Sequence, residues 1–529
     1  MGVSPMTTYV NAKAFTGTGP DDFVSAFTIE DGTFTWVGDS AEVTADSETV
    51  DLGGATVLPG LLDVHTHPIF MATLADTQTL LQPAVTSLQE MLDELAKHPE
   101  YGKGPDAWVM GFGYNEDKYP DGKPDRYALD RISTTQPVFA YRADGHTAVC
   151  NSFALELAGI DENTPDPDGA QIARDENGVP TGVLVETAAT DMVMRKRPPT
   201  DTDEMVRRIV GLNERLLGFG IVAVDDLYGN FIEKPLEVTR LAAEAGYLPH
   251  NAVFVVWGQD PLEPVEEHEK SGQVSLAGIK IFMDGAFSNR TAWVEEPYPD
   301  SDNHGIVTVS DDDLRTAADW ARTHGVQMAV HVMGDRGINH LLDMFENDEP
   351  WLTDRPSIRF DHSTLYTKEM MERTANARMN FGVVSHSVFF YAEYDSYEAS
   401  LGAKQFEIAY PIKTMYENLP TFAISSDSPA TAWAFCDNPF ISVMAAVCRK
   451  AYNGADINQK EAVTVGQALE LYTGRAAQIS TNRGVGLIAP GYEGNFAVLD
   501  RDVFTIEPET LDQTKVNQTW LRGEKVFQR

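Results

Sequence analysis

From about residue 221 onward, short apolar runs recur along the chain, and each is followed by a stretch with helical spacing. The runs are Ile221-Val-Ala-Val-Asp-Asp226, Asn251-Ala-Val-Phe-Val-Val-Trp257, Gly278-Ile-Lys-Ile-Phe-Met-Asp284, Val326-Gln-Met-Ala-Val-His331, Ser357-Ile-Arg-Phe-Asp-His362, Asn380-Phe-Gly-Val-Val-Ser-His386 and Thr421-Phe-Ala-Ile-Ser-Ser-Asp427. An earlier run, Gly60-Leu-Leu-Asp-Val-His-Thr-His-Pro68, brings the number to eight. Continuous apolar runs of this length read as parallel strands buried on both faces. Stretches such as Asp311–His324 and Thr367–Ala377 read as the intervening helices. Eight strand–helix alternations predict an α/β fold, a (β/α)8 TIM-like barrel.

The two ends of the chain have a different rhythm. Phe23-Val-Ser-Ala-Phe-Thr-Ile-Glu30 and Thr33-Phe-Thr-Trp-Val-Gly38 flank an Asp31-Gly32 pair, which is a hairpin signal. Gly491-Tyr-Glu-Gly-Asn-Phe-Ala-Val-Leu-Asp500 and Thr519-Trp-Leu-Arg-Gly-Glu-Lys-Val-Phe527 look similar. The expectation is a small β-sandwich domain built from both termini, residues 1–57 plus 484–529, around a barrel over 58–483. Two unrelated terminal extensions are the other reading. Residues from about 71 to 218 break the alternation. Ser87–Lys97 is helical in pattern, and Pro165-Asp-Pro-Asp-Gly169 through Asn177-Gly-Val-Pro-Thr-Gly182 is laden with turn residues. This region is expected to be a large insertion after barrel strand 1, lying over the active-site mouth.

Composition narrows the function classes. Among 529 residues there are 80 acidic and 40 basic ones, a formal charge of −40. Such a surface repels nucleic acid and anionic membranes, so neither is an expected partner. No run of about 18 apolar residues marks a membrane span. The first residues, Met1-Gly-Val-Ser-Pro-Met6, lack the basic and apolar regions of an export signal. The three cysteines, Cys150, Cys436 and Cys448, fit reduced thiols and a cytoplasmic location.

The chemistry gathers at the ends of the strands. Alternation along a strand points His65 and His67 to one face, where two imidazoles can hold one divalent metal. Alone, the pair fits an ordinary polar turn equally well. His331, His362 and Asp427 end the fifth, sixth and eighth strands; taken singly, each histidine fits packing and the aspartate fits a helix cap. Lys280 lies within the fourth strand between Ile279 and Ile281. An unpaired ammonium there is costly, so the lysine shifts its pKa, pairs with a carboxylate, or reacts with CO2 to give an anionic carbamate. Together, His65, His67, Lys280, His331, His362 and Asp427 suit a divalent metal pair, two Zn2+, bridged by a carbamate on Lys280. Asp427 is then the catalytic residue, moving a proton from water to a leaving nitrogen. His386, at the end of the seventh strand, reads as a substrate contact or a turn residue.

These stretches carry a resemblance. Leu58-Pro-Gly-Leu-Leu-Asp-Val-His-Thr-His67, Gly145-His-Thr-Ala-Val-Cys-Asn-Ser152, Thr181-Gly-Val-Leu-Val-Glu186, Ile279-Lys-Ile-Phe-Met-Asp-Gly285, His331-Val-Met-Gly-Asp-Arg336, Asp361-His362, Ser426-Asp-Ser-Pro429 and Tyr472-Thr-Gly-Arg-Ala-Ala477 occur in order over nearly the whole chain. The chain resembles the amidohydrolase superfamily, within amidohydrolase family 3 and its YtcJ-like branch. One departure is Asp361 where the family usually has Glu before the sixth-strand histidine.

The resemblance implies a metal-dependent hydrolase of carbon–nitrogen bonds other than peptide bonds, with ligand roles for the six residues above. It implies a small-molecule substrate, an N-substituted formamide or N-acyl amine, and a homodimer. A cyclic amide hydrolase or a deaminase is the alternative, and a non-catalytic metal-containing binding protein is the alternative of another class. His146, Arg290, Trp108, Tyr114 and Phe287 are the candidate substrate contacts, and for each aromatic residue core packing is an equal reading.

Overall fold

The computed structural model describes residues 6–43, 48–116, 119–143, 145, 147–167, 170–258 and 264–529. The chain divides into two compact units. One comprises 1–70, 206–428 and 436–529; the other comprises 71–205 and 429–435.

The first unit holds an eight-stranded parallel sheet. Its strands are β1 (Leu61–Thr66), β2 (Ile221–Asp226), β3 (His250–Val256), β4 (Val274–Phe282), β5 (Gln327–Val332), β6 (Ile358–His362), β7 (Phe381–Ser385) and β8 (Phe422–Ile424). Their order in the sheet follows the sequence, each hydrogen-bonded in parallel to the next, which gives a nearly closed TIM-like barrel. The eight expected strands are thus all present. The gap between β8 and β1 is bridged just beyond the strand ends, where the Asp427 N–H donates to the His65 carbonyl at 2.8 Å and the His67 N–H to the Ser428 carbonyl at 2.8 Å.

The helix Asp311–His324 shows how the outer layer forms. Ser310 caps it by accepting the Asp313 N–H at 3.1 Å, and Asp311, Asp312 and Asp313 occupy the positive end of its dipole. Leu314, Ala317, Ala318 and Ala321 form its buried stripe, and Gly325 ends it in the left-handed conformation.

Strands from both ends of the chain form two further sheets in this unit. One has four strands, ordered Thr33–Gly38, Ala26–Glu30, Thr7–Val10, Glu48–Asp51. The other has six, ordered Glu524–Gln528, Val516–Leu521, Phe496–Leu499, Thr56–Pro59, Lys13–Phe15, Phe23–Val24. Phe496–Leu499 runs antiparallel to Thr56–Pro59, so the C-terminal segment pairs with the segment that leads into β1. Residues of both sheets share one apolar cluster in which the Tyr9 ring lies 5.1 Å from Phe27, 5.0 Å from Phe496 and 5.4 Å from Trp520. Asp31 and Gly32 link their hairpin with φ of 48° and 75°, the two left-handed residues of a tight turn.

The second unit has its own six-stranded sheet, ordered Gln171–Arg174, Pro180–Val185, Thr147–Cys150, Val138–Arg142, Val109–Tyr114, Gln78–Thr79. Alternation distributes its side chains to two cores. Val109, Val138, Ala140 and Val149 enter one, while Met110, Phe139, Ala148 and Cys150 enter the other. Among the described residues no helix is long and apolar enough to cross a membrane.

Candidate metal centre

Every barrel strand that carries a titratable residue at or just past its C-terminal end delivers it to the same end of the barrel, because the strands are parallel and in register. His331 on β5 pairs with Phe282 of β4 and Asp361 of β6, and His362 pairs with Ser385 of β7. Asp63, two residues before His65 on β1, fixes the opposite side. It accepts hydrogen bonds from the Ser425 and Ser426 hydroxyls and from the Ser426 N–H at 3.1 Å, so the first strand and the segment after the last are tied at one carboxylate.

The resulting cluster is buried and tight. His67 Nε2 lies 2.7 Å from Asp427 Oδ1, and His65 Nε2 lies 3.4 Å from the same oxygen. His362 Nδ1 is 3.7 Å from Asp427 Oδ2. The ring of His362 lies 4.7 Å from that of His65 and 4.2 Å from that of His331. Asp361 Oδ2 is 3.1 Å from His65 Nδ1 and 3.5 Å from Lys280 Nζ. Its other oxygen accepts from Arg359 Nε at 2.8 Å, and Arg359 Nη1 donates to Asp225 at 2.8 Å. Asp361 thus stands between the guanidinium in the barrel interior and the amine at the centre. All six expected ligands, His65, His67, Lys280, His331, His362 and Asp427, converge here.

Burial dominates the electrostatics. It pushes the imidazoles of His65 and His362 well below their ordinary range, with the Lys280 charge and the His331 ring respectively the next contributors. It lowers His331 to about 4 and lowers His386 as well. The Lys280 amine is also pushed down by burial, against the pull of Asp361. These shifts favour the uncharged forms, which are lone-pair donors.

Several polar atoms of the cluster make no hydrogen bond, although Asp361 Oδ2 stands as an ion-pair neighbour of His65 Nδ1 and Lys280 Nζ. His65 Nδ1, His67 Nδ1, Lys280 Nζ, His362 Nδ1, His386 Nε2 and Asp361 Oδ2 are buried without a hydrogen-bond partner. Each such atom costs about 1–3 kcal/mol when left dry. His65, His362, His386 and Asp427 offer ligand atoms that all lie within 4.8 Å of one another. Nitrogen and carboxylate donors at this density fit a divalent cation of borderline hardness.

The chain matches the amidohydrolase family model, described as "Amidohydrolase family", over residues 48–527. The chain belongs to the amidohydrolase family. It is 30% identical to the putative amidohydrolase YtcJ of Bacillus subtilis over 96% of this chain and 97% of that protein. It is 26% identical to an N-substituted formamide deformylase of Arthrobacter pascens over 98% of each. Among solved structures, an uncharacterised metal-dependent hydrolase from Pyrococcus horikoshii superposes with a TM-score of 0.75 at 25% identity, over 95% of this chain and 99% of that one. This amidohydrolase is accordingly a metal-dependent hydrolase acting on carbon–nitrogen bonds.

The amidohydrolase places the expected substrate contacts differently from one another. Phe287 is fully buried, 6.1 Å from the Tyr298 ring and 5.9 Å from the Tyr397 ring. Arg290 donates from Nη2 to the Ala399 carbonyl at 2.7 Å and holds φ at 54°. Trp108 and Tyr114 are buried in the two cores of the second unit. His146 lies outside the described residues. Two members of the cluster were not assigned from the sequence. Asp361 was legible only as a carboxylate beside His362. His386 lies just past β7, whereas His362 ends β6, and its spacing gives no sign of which ring nitrogen is free.

Proposed function

We propose that this amidohydrolase cleaves the C–N bond of an N-substituted formamide or a related N-acyl amine. The observation that supports the reading is the buried convergence of His65, His67 and His362 on the Asp427 carboxylate at one end of the barrel, in a cluster where further ring nitrogens and Lys280 Nζ lack hydrogen bonds. His65, His67, Lys280, His331, His362 and Asp427 would hold two divalent cations, Zn2+ by donor type. Cations held there would lower the pKa of water and polarise an acyl oxygen. Burial lowers the Lys280 pKa and so favours the free amine, the form that adds to CO2; an N–C bond would form, one proton would leave, and the carbamate would supply oxygen ligands. Asp427 accepts a proton from the attacking water and returns it to the amine nitrogen as the acyl C–N bond breaks. The products are a carboxylic acid, formate for a formamide, and a free amine. The 26% identity to a formamide deformylase along the whole chain supports the substrate class.

The test is a screen of zinc-loaded protein against N-formyl, N-acetyl, ureido and cyclic amides, following amine release. Turnover of N-formyl or N-acetyl amines is expected, lost on chelation and restored by metal. Asp427→Asn should lower kcat by about 10²–10⁴-fold. Turnover confined to cyclic amides, or full activity in metal-stripped protein, would sink the reading.

A further inference from the structure

We propose that His386 is a ligand of the metal centre through Nε2, acting with His65, His362 and Asp427. This rests on the metal-centre reading above and adds a donor from the seventh strand, outside the six residues named there.

A backbone carbonyl fixes the tautomer of His386. His386 Nδ1 lies 3.0 Å from the Ser425 carbonyl oxygen. A carbonyl only accepts, so Nδ1 carries the proton and Nε2 carries the lone pair. A backbone carbonyl on one ring nitrogen is a usual way for a protein to orient an imidazole whose other nitrogen binds metal. The ring is also held by packing. Phe389 stacks on it at 4.8 Å and 25°, and the rings of His65 and His362 lie 5.0 and 4.8 Å away.

Nε2 is then an acceptor with no donor. His386 is fully buried, and Nε2 has no hydrogen-bond partner. A purely structural histidine would leave that lone pair dry. A ring nitrogen of His386 lies within 4.8 Å of ligand atoms of His65, His362 and Asp427, so three imidazoles and one carboxylate gather in one small volume. Ser425 joins the argument a second time, because its hydroxyl accepts the His65 N–H at 2.6 Å. One residue after β8 therefore positions ligands from both β1 and β7.

The experiment measures Zn2+ affinity of metal-stripped protein by competition with a chromophoric chelator, in wild type, His386→Ala, His386→Asp and His65→Ala. His386→Ala is expected to lose affinity by about 100-fold or more. His386→Asp, which returns an oxygen donor, is expected to recover part of the loss. If His386→Ala stays within threefold of wild type while His65→Ala falls, His386 is no ligand and the centre stands without it. If neither variant loses affinity, the metal-centre reading itself fails. Should His386→Ala not fold, zinc-loaded wild-type crystals decide the point. Nε2 about 2.0–2.1 Å from an anomalous peak supports the proposal, and Nε2 beyond about 3 Å from every peak overturns it.

Discussion

Two of the converging residues sit in backbone conformations that L-residues avoid. His362 has φ of 73° and Asp427 has φ of 53°. Each such residue costs about 1–3 kcal/mol, and the surrounding structure must impose it. For Asp427 the constraint is visible in its N–H bond to the His65 carbonyl. The strain aims both side chains into the cluster, where His362 Nδ1 and Asp427 Oδ2 lie 3.7 Å apart. Lys280 is constrained differently, by burial among charges. Lys280→Ala is expected to abolish turnover, with partial rescue by short carboxylic acids that replace the carbamate oxygens. Full activity without rescue would remove the carbamate from the mechanism.

The imidazoles also make a prediction about pH. His331 is held near 4 in the folded protein, against an ordinary value of 6.5. A base with a depressed folded pKa stabilises the fold above its unfolded pKa, and that stability is lost as pH falls through 6.5 toward 4. In metal-stripped protein, His331→Asn removes this penalty. The variant should therefore gain on wild type by up to about 3 kcal/mol between pH 7 and pH 4. Buried Asp63, Asp225 and Asp226, raised to about 6, act in the opposite sense in both proteins and cancel in the difference. Urea unfolding at the two pH values reads the change, and a pH-independent difference would show that His331 titrates normally.

At the level of elements, a buried carboxylate reinforces the backbone hydrogen bonds that close the barrel. β8 is only three residues long, Phe422–Ile424, and beside the two backbone bonds the join to β1 includes Asp63 with the Ser425 and Ser426 hydroxyls and the Ser426 N–H. Asp63→Ala leaves those three donors without their acceptor in a dry site. The expected loss is about 3 kcal/mol or more, with Asp63→Asn intermediate because it keeps one acceptor oxygen. A loss under about 1 kcal/mol in urea unfolding would place the closure elsewhere.

Closure of this kind was not legible in the sequence, although the strands were. Runs such as Ile221–Asp226 and Phe381–Ser385 are buried along their full length, so each appeared as an unbroken apolar stretch. The second unit hid its sheet for the opposite reason. Val109–Tyr114 contains Gly111 and Gly113, and Gly113, at φ of 103°, sits where the pairing with Val138–Arg142 shifts register. A bulged, glycine-bearing strand breaks the period-2 pattern on which recognition depends. At the centre, ligand residue types were legible at strand ends. The Arg359–Asp361–Lys280 chain was not, because spacing does not reveal that Arg359 points into the barrel and is wholly buried.

At the scale of the whole molecule, the dominant quantity is charge. Eighty acidic residues against 40 basic ones give −40 on 529 residues. Like charges spread over a folded surface repel, and the repulsion weakens when the chain expands, so it opposes folding. Exposed ion pairs such as Lys103–Glu100 and Arg378–Glu349 offset it only slightly, at about 0–1 kcal/mol each. Salt acts on both terms with opposite signs. It screens the long-range repulsion of the excess acids, and it weakens the few local attractions. With twice as many acids as bases, the first effect is the larger. The Debye length falls from about 10 Å at 0.1 M to about 3 Å at 1 M, which is enough to cut repulsion between neighbouring surface carboxylates. The melting temperature should therefore rise between 0.05 and about 1 M NaCl, by several degrees. A neutralising set of surface Asp→Asn and Glu→Gln substitutions, chosen away from the barrel mouth, should reproduce the gain at low salt and flatten the salt response. A melting temperature that falls with salt would mean that local ion pairs, rather than the excess negative charge, govern the surface.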